Sequence, residues 1–392
     1  MRILLTTDLY TPAINGVVTS TVSLKKSLEN LGHDVRVLTL ADYGYINEIN
    51  HVYAVSSLNI DKVYPGARVK LFSNRSIIRD IIEWRPDVVH TQSEFSTFRM
   101  GKQIAQYLNI PIVHTYHTIY EDYTHYFSPS RTTGRKMVSL FTKHVLNDVE
   151  SVIAPTNKVQ NILNNYGVEQ PINVIPTGIQ LERFQNPISQ EERRAFRAQY
   201  AIPEDAFLLV SLGRLGKEKN IEEILFFLSL LKQGVHFLIV GDGPNKFNLM
   251  DKVKELGLDS HVHFTGMVSP LDVAKYYQVA DLFVCASTSE TQGLTYIEAL
   301  ASGIPALCRA DESIENVIIN GQTGYQYHHF KEFESALYAL MKDEVHYKQV
   351  AVQAKDFVSR NYSSQAFGLH VSSVYGQAVE SFHSNQMMQM HM

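Results

Sequence analysis

The sequence predicts an α/β protein made of two doubly wound parallel sheets. Three observations carry that prediction. Short apolar runs of strand length alternate with amphipathic stretches of helical period, the pattern of strands joined by crossover helices and covered on both faces. The alternation breaks at a polar stretch, residues 184–200 (FQNPISQEERRAFRAQY), and then starts again. The 392 residues are enough for two domains of ordinary size.

In chain order, the strands expected in the first half are Ile3–Thr6, Val35–Leu40, Val88–Thr91, Ile112–Thr115, Val152–Pro155 and Val174–Pro176. Those of the second half are Phe207–Leu212, Phe237–Gly241, Val262–Phe264, Leu282–Ala286 and Ile304–Leu307. The clearest helical stretches are Thr19–Leu31, Ile221–Leu231, Lys246–Leu256 and Pro270–Val279. The reading gives a first domain over residues 1–185 and a second over 186–362. A last helix at about 363–382 packs back on the first domain, and residues 383–392 form a frayed tail. Two such domains face each other across a cleft, and ligands of doubly wound sheets bind at the carboxyl ends of the strands.

Composition narrows the class. With 45% hydrophobic and 19% charged residues the chain is globular rather than disordered. No apolar run reaches the roughly 18–20 residues that span a bilayer. The N-terminus reads as a buried first strand rather than a signal peptide. Cys285 and Cys308 sit inside apolar runs and read as buried thiols, and no Cys/His cluster has zinc-ligand spacing. The net charge of −5 divides unevenly, with 18 Lys+Arg against 16 Asp+Glu over residues 1–185. Two acid-free basic runs lie there: Lys62, Arg68, Lys70, Arg75 and Arg79, then Arg131, Arg135, Lys136 and Lys143. Apolar residues interleave with both. An anionic membrane surface would attract such segments; a solvated helix face explains the same residues.

The stretch Ser287–Gly303 (STSETQGLTYIEALASG) carries the most chemistry. It follows a strand and opens a helix that Gly303 can end. Gly293 at the helix start lets the N–H groups of Gly293, Leu294 and Thr295 approach an anion, and the helix dipole favours negative charge there. Glu290 and Glu298 lie eight residues apart, roughly 12 Å along a helix. Carboxylates accept well from paired sugar hydroxyls; dipole stabilisation by one Glu and solvation of the other is the plainer alternative. In Ser211–Leu225 (SLGRLGKEKNIEEIL), Arg214 and Lys219 precede a helix whose dipole disfavours cations, which fits an anion held between them. Lys217 competes for the second role, and a salt-bridged loop with Glu218, Glu222 and Glu223 is the alternative. Gly16, in TPAINGVVTS, allows close backbone approach to a phosphate or an acceptor. His117 lies in a loop after Ile112–Thr115 with His114, Glu121, Asp122 and His125, where a histidine is as readily structural as functional.

Together these segments resemble the retaining glycosyltransferases of family four, which have the GT-B fold, over nearly the whole chain. The resemblance implies that Glu290 contacts the donor hexose and Glu298 the ribose. It implies that Arg214 and Lys219 hold the donor diphosphate and stabilise the departing nucleotide. It gives Gly16 a place against the diphosphate, where many members carry a second glycine at the position of Asn15. It gives His117 a hydrogen bond to the hexose, and the backbone of Gly266–Val268 a contact to the base. Many members have Phe at the position of Gln292. No metal or other cofactor is implied. Within the family, HTQSEF (His90–Phe95) and HTYHTIYEDYTHY (His114–Tyr126) are similar to segments of the bacterial members that glucosylate diacylglycerol. The implied donor is UDP-glucose, the acceptor diacylglycerol and the product an α-glucoside, made on the inner face of the cell membrane by a cytoplasmic, peripheral enzyme. Nucleic acid is not an implied partner. A second hexosyl transfer onto a glycolipid, a soluble acceptor, or a nucleotide-sugar-binding protein without turnover are the competing readings.

Overall fold

The computed structural model describes residues 1–13, 15–59, 68–70, 75–121, 130–231 and 234–390. They form two compact units, Met1–Gly178 with Ser364–Met392, and Ile179–Ser363.

The first unit opens on β1 (Arg2–Thr6), α1 (Gly16–Asn30), β2 (Asp34–Ala41), β3 (Tyr45–Asn47) and β4 (Val52–Ser56). A small ladder, β5 (Leu58–Asn59) with β6 (Arg68–Val69), comes before α2 (Arg75–Trp84), β7 (Val88–Thr91) and α3 (Ser96–Leu108). Then come β8 (Ile112–Thr115), α4 (Arg131–Leu146), β9 (Ser151–Ala154), α5 (Asn157–Asn165) and β10 (Ile172–Val174). The main sheet runs β10-β9-β8-β7-β1-β2-β4-β3 and is parallel except at its edge, where β3 pairs antiparallel with β4. Its central strands are apolar on both faces: Ile3, Leu4, Leu5, Val88, Val89 and Val113 are fully buried, as crossover helices on both sides require.

The second unit contains α6 (Glu182–Gln185), α7 (Gln190–Gln199), β11 (Phe207–Leu212), α8 (Ile221–Leu230), β12 (Val235–Val240), α9 (Lys246–Glu255) and β13 (Val262–Gly266). It continues with α10 (Val273–Gln278), β14 (Leu282–Cys285), α11 (Leu294–Ala301), β15 (Ala306–Arg309), β16 (Gly324–Tyr327), α12 (Phe330–Lys342) and α13 (Glu344–Asn361). Its six strands run β13-β12-β11-β14-β15-β16, with every neighbouring pair parallel. The chain turns back between β11 and β14, which places the topological switch point there; in the first sheet it falls between β1 and β7.

Three expectations about the chain's divisions differ from this structure. The units divide at Gly178/Ile179, not after residue 185. The polar stretch 184–200 is more than a break in the alternation: it holds the end of α6 and all of α7, and Phe184 is buried edge-on against Tyr277. Its polarity hides a buried arginine. Arg197 is 3% exposed and donates to the carbonyls of Val279, Glu204 and Ala206 and, at 2.8 Å, to Asp281 Oδ2, so its guanidinium is satisfied where an apolar side chain would be expected. The tail is helical as well. In α14 (Ser364–Met390) the helix runs on through the Met- and Gln-rich segment, whose residues are good helix formers. Asn109 and Gln386 exchange two side-chain hydrogen bonds, at 3.0 and 2.7 Å. Tyr375 of α14 is fully buried, with its hydroxyl 2.6 Å from His90 Nδ1.

Candidate active site

The carboxyl ends of β11 and β14 bring together residues about 70 positions apart. After β11 the chain turns through Gly213, whose φ of 145° favours glycine, and a short helical turn at Lys217–Lys219 carries two of the cations. That turn folds Glu218 back over Gly216, where a Cβ would lie 2.2 Å from Glu218 Oε1. Arg214 Nη2 donates to Glu218 Oε1 in a short ion pair. The salt-bridged alternative for this loop is thus realised for Arg214. Lys219 reaches the other loop: its Nζ forms a short ion pair with Glu290 Oε1, the two side chains being 29% and 16% exposed. Ser287 Oγ ties the loops together at the carbonyl of Glu218, 3.2 Å away. Lys217, the competitor, forms no ion pair with a carboxylate among the described residues.

The loop after β14 ends at Gly293, the N-cap of α11, with φ 70°. Besides this left-handed backbone, the ring of Tyr296 excludes a side chain, since a Cβ would lie 2.1 Å from Tyr296 Cε2. Glycine therefore fixes how the amides of Leu294 and Thr295 are presented at the helix start. Gly293→Ala is expected to cost about 1–3 kcal/mol of stability through the strained φ and the clash. Thermal melts with and without UDP check this, and the stabilisation conferred by UDP should shrink in the variant. Gly303, at φ 81°, follows the last turn. Glu290 lies in the loop and only Glu298 on the helix, so the helical spacing estimated for the pair does not hold over the non-helical residues before Leu294.

Glu298 is partly buried on α11, and Tyr277 OH of α10 donates to its Oε2 at 2.9 Å. Burial raises the Glu298 pKa to about 7, opposed by the Tyr277 hydrogen bond and the charge of Arg183. Gln292 is buried, 4% exposed. The sequence reading offered Glu218 only as a member of the salt-bridged alternative and passed over Tyr277 entirely.

In the first unit a polar cluster lies beyond β1, β7 and β8. His117 Nε2 is 2.7 Å from Gln92 Oε1, and burial together with nearby His114 pushes its pKa down to about 3, so the ring is neutral at physiological pH. Glu94 lies 3.3 Å from His114 Nε2 and accepts from Tyr120 OH. Asp8 Oδ1 accepts from Thr97 N at 2.8 Å, at the start of α3, and burial raises its pKa to about 6. The HTQSEF and HTYHTIYEDYTHY segments pointed to this cluster, but neither singled out Asp8 or Gln92. At α1 the cap is Asn15, whose Oδ1 accepts from Val18 N at 2.9 Å. A Cβ at Gly16 would face open space, with nothing within 4 Å beyond its chain neighbours and its own helix backbone.

The basic runs divide. Lys62, and with it Asp122 and His125, lies outside the described residues, as does the side chain of Arg131. Arg68 is not available at the surface as expected: it is 15% exposed and bonds Asp42 Oδ1 at 2.6 Å. Arg79 pairs with Glu83 at 3.8 Å, Arg135 with Glu121 at 3.0 Å and Lys143 with Glu169 at 3.1 Å. The acids come from outside the acid-free runs, a pairing that charge counting along the chain does not see. Arg75 and Lys136 are exposed, and Lys70 is partly so. On α4 Met137, Leu140 and Phe141 are exposed, and the ring of Phe141 stacks on that of Phe95 at 5.8 Å. Among the described residues no helix is long and apolar enough to cross a membrane, and no group of His, Cys, Asp and Glu could hold a metal ion.

Residues 14–183 match the family model described as Glycosyltransferase Family 4, and residues 192–357 match that described as Glycosyl transferases group 1. The chain is 35% identical over 389 residues to the alpha-monoglucosyldiacylglycerol synthase of Streptococcus pneumoniae, covering 97% of this chain and 87% of that protein. It is 32% identical over 360 residues to the Acholeplasma laidlawii protein of the same name, covering 89% and 88%. Among solved structures, Anabaena Alr3699/HepE in complex with UDP and glucose aligns with a TM-score of 0.76 at 17% identity, over 96% of this chain and 100% of that one. Sucrose-phosphate synthase from Thermosynechococcus elongatus aligns with a TM-score of 0.76 at 21% identity, over 97% and 99%. The fold is GT-B, as the sequence predicted.

Proposed function

This chain belongs to glycosyltransferase family 4 and is a glycosyltransferase; on that premise we propose that it transfers glucose from UDP-glucose to diacylglycerol with retention, giving an α-monoglucosyldiacylglycerol. The observation that carries this reading is the likeness to alpha-monoglucosyldiacylglycerol synthases along nearly the full length of both chains.

The second unit supplies chemistry suited to a nucleotide sugar. Arg214, Lys219 and the amides at the start of α11 take the diphosphate, Glu290 takes hexose hydroxyls, and Glu298 takes the ribose. Lys219 and Glu290 pair with each other. The arriving donor offers each a replacement: phosphate for the cation, hydroxyls for the carboxylate. Two cations and a helix N-terminus meet the diphosphate charge, so the proposed site needs no metal. Gly16 and His117 are assigned the donor contacts that the family pattern gives them. His117, neutral at physiological pH, serves as a hydrogen-bonding group and not as a general acid.

A membrane-borne acceptor calls for a docking face. We assign it to α4, where Lys136, with Arg135 and Lys143 that also pair with Glu121 and Glu169, flanks the exposed Met137, Leu140 and Phe141, with Arg75, Lys70 and the Glu83-paired Arg79 adding to the basic run. Cations around an apolar ridge suit an anionic leaflet, and the protein then acts peripherally on the inner face of the membrane. The test is a panel of UDP-sugars assayed against diacylglycerol in neutral and in anionic vesicles. Glucose transfer that is faster on anionic vesicles is the expected result. Equal use of a soluble acceptor, or no product with any UDP-sugar, would sink the reading.

A further inference from the structure

We propose that Tyr277 is a positioning residue for the donor site: its hydroxyl holds Glu298 Oε2 and so leaves Oε1 directed to the ribose. The inference rests on the reading of Glu298 as the ribose contact and adds to it a residue that the reading does not contain.

The geometry is specific. Tyr277 is fully buried on α10, its ring edge-on to Phe184 at 6.3 Å and tilted against Phe283 at 6.0 Å. A hydroxyl in that apolar setting needs a partner, and its partner is one oxygen of Glu298, at 2.9 Å. A carboxylate with one oxygen fixed in this way has its second oxygen's direction fixed too. Acceptance of the vicinal ribose hydroxyls at Oε1 depends on that direction being set before the ligand arrives.

The same bond has an electrostatic consequence. The charge that acts on Glu298 is that of Arg183 from α6, which favours its ionised form, while burial keeps the nearby thiol of Cys285 on β14 protonated and neutral. Burial holds the Glu298 pKa near 7, and the Tyr277 hydrogen bond is the largest effect opposing that rise. Ribose hydroxyls donate to the ionised carboxylate. Donor affinity is therefore full above that pH and lost as the pH falls through it. Without the tyrosine hydroxyl the carboxyl pKa rises, so the loss begins at a higher pH.

Tyr277→Phe tests this, because the phenyl ring keeps its packing and only the hydroxyl goes. Calorimetry with UDP and with its 2′-deoxyribose counterpart, and steady-state kinetics across pH, are the measurements. Affinity for UDP should fall by about tenfold at neutral pH, the value of one hydrogen bond to a charged group. The preference for UDP over the deoxy compound should shrink, kcat at saturating donor should change less than about twofold, and the acidic limb of kcat/KM should move up in pH. An unchanged ribose preference and acidic limb would overturn the proposal, as would equal losses in kcat and in affinity. Glu298→Ala is the companion variant. If it too leaves the ribose preference intact, the ribose reading of Glu298 has failed and the proposal with it. If Glu298→Ala abolishes the preference and Tyr277→Phe does not touch it, only the proposal has failed.

Discussion

Lys219→Ala should reduce kcat by about 10²–10³, the range for removing one preorganised group that stabilises transition-state charge. The argument starts from the folded loop. A short helical turn puts the Lys219 ammonium against Glu290, at the switch point of the second sheet. When the glycosidic bond breaks, negative charge grows on the departing diphosphate, and a cation already held in place stabilises that charge without reorganising. Removing it also takes away the Lys219 charge that offsets the Glu290 carboxylate where an anionic ligand must bind, so donor affinity falls as well. Lys219→Arg should recover only part of the loss, because a planar fork does not replace a compact ammonium. Turnover of UDP-glucose on diacylglycerol vesicles is the measurement; a kcat within a few-fold of the parent would refute the role.

Glu290→Ala should behave in the opposite way toward UDP. Turnover should fall by about a hundredfold, two hydrogen bonds from hexose hydroxyls to a charged acceptor being lost in the transition state. UDP carries no hexose, and Lys219 is then no longer held by Glu290. UDP should therefore bind at least as tightly as it does to the parent, measured by calorimetry. Equal losses of turnover and UDP affinity would argue that Glu290 does not contact the sugar. Because the two side chains touch, the double variant should not show the sum of the two losses.

What the sequence revealed depended on where the signal is local. Strands buried on both faces announce themselves as continuous apolar runs, so Val88–Thr91, Ile112–Thr115 and Phe207–Leu212 were legible to the residue. The edges were not. Tyr45–Asn47 and Gly324–Tyr327 border their sheets, mix polar with apolar residues and carry no such run. The polar α7 was read only as a break in the alternation because a fully bonded arginine fills a buried position there. Among the site residues, Glu290, Glu298, Arg214, Lys219 and Gly293 stand in two contiguous segments whose order along the chain is itself a pattern. Tyr277, Gln92 and Asp8 belong to no such pattern. Each meets its partner only through tertiary packing, Tyr277 from α10 onto α11 and Asp8 from the end of β1 onto the start of α3. The pairing of Arg214 with Glu218 was written in the sequence as an i, i+4 spacing, yet it yields to ligand chemistry only when the loop's folding is seen.

The helix α14 has a consequence for how the molecule is made. It packs with the first unit, placing Tyr375 on His90 of β7 and Gln386 on Asn109, yet it follows all of Ile179–Ser363 in the chain. During synthesis the earlier-encoded unit must wait, with the face of α1 and β7 that α14 covers still bare, until the ribosome has passed through the later one. The second unit is contiguous and can close as soon as it emerges. Order of translation and order of completion are thus reversed, and a premature stop near residue 363 would leave a finished second unit attached to an unfinished first.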